Sequence, residues 1–70
     1  MRDQLIQLLR QLCESSPFWF DRGDGVFGHE DPLSMFGGEV SYLVADDAVY
    51  YDEFESMSFE DAFQRFSLDV

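Results

Sequence analysis

The chain contains no lysine, one cysteine, one histidine and two prolines. A single cysteine excludes an intramolecular disulfide. With a single histidine beside it, a Cys/His zinc site cannot be built from this chain alone. No apolar run approaches the ~20 residues that cross a bilayer. Arg2 and Asp3 lead into an amphipathic pattern, so the N-terminus does not read as a signal peptide. A free thiol without a disulfide fits a reducing cytoplasm. At 70 residues the core is thin, and no covalent or metal staple supports it. Packing has to hold the fold, and the composition allows it: 46% apolar and 17% aromatic, with eight Phe, three Tyr and one Trp. An acidic disordered chain is normally poor in aromatics, so disorder is disfavoured.

The net charge is −11, from fifteen acids against four cations. Met1–Arg22 is balanced, with Asp3, Glu14 and Asp21 against Arg2, Arg10 and Arg22. Arg65 balances Asp69. The whole imbalance lies in Gly23–Gln64, which has eleven acids and neither Lys nor Arg. A net charge of magnitude ~2–8 already keeps a small domain soluble, so a larger excess confined to one segment invites a functional reading. Such a surface repels nucleic acid and anionic membrane and attracts cationic partners.

Apolar periodicity places a helix at Asp3–Glu14. Leu5, Ile6, Leu8, Leu9, Leu12 and Cys13 form one face, and the helix ends at Ser15-Ser16-Pro17. Phe18-Trp19-Phe20 and Val26-Phe27 read as strands joined by Arg22-Gly23-Asp24-Gly25, a tight-turn sequence. Three consecutive aromatics cannot all face inward, so Trp19, or the pair Phe18 and Phe20, is expected to be partly exposed or else covered by another element such as a helix. His29–Gly38 is a connection, where Pro32 opens a helical turn and Leu33, Met35 and Phe36 plug the core. Glu39–Val44 and Val49–Phe54 form a second hairpin across Ala45-Asp46-Asp47-Ala48. Ser58–Phe66 is a helix with Ser58 as N-cap, and the tail Ser67–Val70 frays. The predicted fold class is α+β in a single domain. It has an antiparallel sheet of about four strands in the order α-β-β-β-β-α, with both helices packed on one face.

The motifs that suggest chemistry fit poorly. Aligning Asp24-Gly25 to an EF-hand loop puts Phe20 and Arg22 where cation ligands belong. Arg22-Gly23-Asp24 reads as a turn rather than an adhesion motif. Gly23, Gly25 and Gly28 lack the lysine of a phosphate loop. His29-Glu30-Asp31 has no nucleophile, second base or metal set beside it, so a solvated loop is the better reading. Cys13 reads as a small core hydrophobe. No enzyme, metal or cofactor is expected.

The acidic segment has a coherent mechanism. Duplex DNA carries a charge per ~1.7 Å of axis, and same-face strand residues repeat every ~6.6 Å. A rigid domain bearing these carboxylates suits a cationic groove built for phosphate. The main candidates are Asp46, Asp47, Asp52, Glu53, Glu55, Glu60 and Asp61, followed by Asp24, Glu30, Asp31 and Glu39. Tyr50 and Tyr51 are candidate interface aromatics.

In length, composition and acid-only segment the chain resembles the small acidic phage and mobile-element proteins that inhibit host nucleic-acid enzymes, namely anti-CRISPR and antirestriction DNA mimics. The resemblance is one of composition and not of motif. It implies a monomeric, non-enzymatic inhibitor in a bacterial cytoplasm. Its partner would be a basic nucleic-acid-binding complex such as a CRISPR effector, without direct binding to nucleic acid or membrane. The alternative expectation is an adaptor or immunity-type module that binds through Phe18, Trp19 and Phe20 or the first helix.

Overall fold

The amphipathic repeat at the N-terminus folds as helix α1, Arg2–Ser15. The structure, a computed structural model, describes residues 1–30, 38–51 and 55–68. The expected helical turn at Pro32 and its core plug lie outside the described residues. Leu5, Leu9 and Leu12 recur at i, i+4 and i+7 and are fully buried, while Ile6, Leu8 and Cys13 flank them half-buried. Ser16 adopts an extended backbone, as the residue before Pro17 must, and its N–H closes the helix on the Leu12 carbonyl.

Among the described residues five strands follow: β1 (Trp19–Gly23), β2 (Val26–Glu30), β3 (Glu39–Val44), β4 (Val49–Tyr51) and β5 (Glu55–Met57). They pair in chain order, each antiparallel to the last, and form one open sheet. Helix α2, Phe59–Ser67, closes the described chain. The α+β layout therefore matches the prediction, with one strand more. β5 was not expected, because Glu55-Ser56-Met57 is short and has little strand propensity.

Local chemistry explains the turns and caps. Between β1 and β2, Asp24 and Gly25 both take positive φ, 55° and 77°, the signature of a type I′ hairpin turn. Gly23, at φ 84°, absorbs the register shift just before it. The second hairpin closes with Ala45 N–H donating to the Ala48 carbonyl at 3.0 Å. Ser58 caps α2, its Oγ accepting from Asp61 N–H at 3.1 Å, and Arg65 sits in the last turn.

Residues directly opposite in an antiparallel pair share a face. The register therefore puts Trp19, His29 and Val40 in one inner row. Phe27, Tyr42, Tyr51 and Glu55 form the next, and Val44, Val49 and Met57 the third. Both helices cover this face. Phe66 of α2 packs edge-on against Trp19 and Tyr42, with ring centroids 5.4 and 5.0 Å away. The core unites Leu5, Leu9 and Leu12 with Trp19, Phe27, Tyr42, Val44, Val49, Ala62 and Phe66.

The question of the three aromatics is settled by the helices. Trp19 faces them and is 4% exposed, whereas Phe18 is 38% exposed and Phe20 half-buried. Trp19 is therefore a core residue and no candidate for a surface contact. This narrows the expected aromatic surface to Phe18 and Phe20.

Candidate functional site

Among the described residues the carboxylates do not form the expected ladder. None of the five described strands carries two acids, so the ~6.6 Å same-face repeat is not realised. The meander sorts them instead, because alternate turns fall at opposite ends of the sheet. The β1–β2 turn brings Asp24 to one end, and the β3–β4 turn brings Asp46 and Asp47 to the same end. β5 runs back toward it from Glu55 to Met57, so α2 starts there with Glu60 and Asp61 in its first turn. Arg2 lies 3.5 Å from Asp46, which puts the start of α1, with Asp3, at this end too. Among the described residues six acids thus gather at this end, where Arg2 lies near Asp3 and Asp46 and Arg22, beside the β1–β2 turn, is turned away to Glu39. Two helix N-termini, each a partial positive charge, offset some of the acids' mutual repulsion.

The opposite end holds Glu30 and Glu39, paired across β2 and β3, and Glu55 at the start of β5. β3 spans five residue steps, so the two acidic ends stand roughly 17 Å apart at ~3.3 Å per step. Asp31, Asp52 and Glu53 lie outside the described residues.

The acid-only stretch of sequence is not acid-only in space. Arg22 reaches across β2 to Glu39, its Nε and Nη2 donating to Oε1 at 2.9 and 2.5 Å. The Glu39 side chain lies over Gly28, where a Cβ would collide with its carboxylate. Arg22 also lies 5.0 Å from the centre of the Phe20 ring. Arg2, half-buried, partly compensates the fully exposed Asp46, and with one partner in open solvent such a pair is worth ~0–1 kcal/mol. Among the described residues, Asp24, Glu30, Asp47, Glu55, Glu60 and Asp61 have no Arg partner within 4.0 Å.

The two candidate tyrosines part company. Tyr50 points to the outer face and is 41% exposed. Its hydroxyl donates to Asp47 Oδ2 at 2.9 Å. That hydrogen bond, with the Asp47 charge behind it, raises the phenol pKa above its ordinary value. Tyr51 faces the helices and is half-buried beneath Arg65, whose guanidinium lies 5.5 Å from its ring centre and 5.9 Å from that of Tyr42. It belongs to the packing more than to the acidic surface.

The groups with catalytic potential are disposed as structural ones. His29 stacks on Trp19 at 4.4 Å between centroids, on the inner face, while its neighbour Glu30 is exposed on the outer one. Cys13 is half-buried against the core, and burial, then Asp21 and Glu14, raise its thiol pKa. A raised pKa keeps the thiol protonated and poorly nucleophilic. Among the described residues no group of three or more His, Cys, Asp or Glu is placed to hold a metal ion, and no helix is long and apolar enough to cross a membrane.

One surface element escaped the sequence reading. Leu43, 42% exposed, stands on the outer face between Val26 and Tyr50. The signal was present as an apolar residue at the position of β3 that alternation assigns to the polar face. Compared with protein-family models, curated proteins and solved structures, the chain matches none.

Proposed function

We propose that the chain is a non-enzymatic inhibitor whose acidic surface occupies a positively charged nucleic-acid-binding site of a host defence complex, in the manner of an anti-CRISPR protein. The observation that supports this most is the turn end of the sheet. There Asp24, Asp46, Asp47, Glu60 and Asp61 are gathered from three elements, and among the described residues only Asp46 of these has an Arg partner, Arg2. Charge concentrated at a rigid end, with a second acidic group at the far end, suits a cationic groove that otherwise holds phosphates. It acts by occupancy, as two patches rather than as a continuous ladder of charge. The adaptor reading retains Phe18 and Phe20 as contacts, since Trp19 is in the core.

The test is displacement of duplex DNA from a guide-loaded CRISPR effector complex by the purified chain. Inhibition should weaken at least about tenfold between ~50 and ~200 mM salt, because exposed charges are screened within ~8–10 Å. Asp46→Lys with Asp47→Lys should abolish inhibition with the far-UV spectrum unchanged. Salt-independent inhibition, or full activity of the double reversal, would refute charge-driven occupancy by this end.

A further inference from the structure

The helices cover one face of the sheet and leave the other open. On the open face Val26, Leu43 and Tyr50 lie directly opposite one another across β2, β3 and β4. With strands ~4.8 Å apart, the stripe crosses roughly 10 Å of surface. Leu43 and Tyr50 are each about two-fifths exposed. Single exposed apolar residues are ordinary, but three in cross-strand register make a patch.

The surroundings of the stripe select its occupant. On the turn side of the stripe Tyr50 is tied to Asp47, and four residues along the strands from Val26 and Leu43, Glu30 and Glu39 pair at the far end of the face. The cation of this face, Arg22, is already held by Glu39 and Phe20. An apolar centre inside an anionic border is the complement of a basic surface with an apolar centre. A second copy of this chain would bring like-charged borders together, and nucleic acid or an anionic bilayer would be repelled.

We infer that the open face is the docking surface, with Leu43 and Tyr50 as its apolar anchors, for a basic protein surface that carries apolar side chains between its cations. The inference rests on the proposed function and deepens it. The acids steer the encounter at long range, while the stripe supplies the short-range contacts that distinguish one basic partner from another.

The test titrates the isotope-labelled full chain with two peptides of equal net charge, one of Arg and Gly, the other of Arg alternating with Leu and Trp. The mixed peptide should bind at least about tenfold tighter, a modest share for two interface anchors, and should shift the amide signals of Val26, Leu43 and Tyr50. Leu43→Ser, at an exposed site, should remove that preference while leaving the Arg–Gly affinity and the thermal unfolding midpoint in place. The inference is overturned if wild type shows no preference, if the preference survives in Leu43→Ser, or if the signals that move belong to α1. If neither peptide binds at ~50 mM salt, the charge-based function falls and the docking surface falls with it.

Discussion

Replacing Trp19 by alanine should come close to unfolding the protein. The side chain is 4% exposed, stacks on His29 at 4.4 Å, and meets Tyr42 and Phe66 at 5.9 and 5.4 Å. Truncating a buried Trp costs about 3–5 kcal/mol through lost burial and the cavity left behind. Aromatic pairing contributes ~0.5–1.5 kcal/mol beyond area, which places this site in the upper part of that range. A domain of 70 residues has roughly 4–10 kcal/mol of stability in total, so one substitution removes a large share of it. Urea unfolding is the assay, with an m-value near ~1 kcal/mol/M for so small a protein, and the midpoint should fall by about 3 M or more. Far-UV circular dichroism has to report the transition, because Trp19 is the only tryptophan and the variant has lost the fluorophore. Phe18→Ala, at a 38% exposed site, is the control and should stay within about 1 kcal/mol of wild type. A loss below about 1 kcal/mol in Trp19→Ala would refute the placement of this ring in the core. The result also governs interpretation of binding assays: inactivity of Trp19→Ala reports unfolding and not a lost contact.

Two smaller predictions concern local chemistry. Tyr50 should titrate above an ordinary tyrosine, and Asp47→Asn should bring it down, as read from the tyrosinate absorbance lost in Tyr50→Phe. Because its folded pKa is raised, the associated stability is present below the unfolded pKa of ~10 and fades as pH rises through the folded value. A titration unmoved by Asp47→Asn, which keeps an acceptor oxygen, would remove the Asp47 charge as a cause, and one unmoved by Asp47→Ala would remove the hydrogen bond. Ser58→Ala should cost about 1 kcal/mol by orphaning the Asp61 N–H at the start of α2. Ser58→Asp, another capping side chain, should retain most of the midpoint, and equal losses in both would show that the hydroxyl is not acting as a cap.

Much of the architecture was written into local pattern. The apolar period of α1, the Ser58 cap and the Asp24-Gly25 turn each depend on residues within one turn of helix or one hairpin. The sequence alone was enough to locate these elements. The net charge and its confinement to one segment are likewise properties of the sequence. The expected placement of Asp31, Asp52, Glu53 and the Pro32 turn lies outside the described residues. Tertiary structure decided which aromatic faced inward, because the helices cover one face of β1 and leave the other bare. It also decided which acids stand together. That outcome depends on how many times the chain reverses. With four strands, α2 would begin at the end of the sheet near Glu30 and Glu39. The short fifth strand, Glu55–Met57, adds one reversal and carries Glu60 and Asp61 to the end that already holds Asp24, Asp46 and Asp47. Likewise, only the pairing of β2 with β3 brought Glu39 across Gly28 to Arg22, a cation that lies seventeen positions away. Non-local pairing sets both results, and no spacing along the chain encodes them.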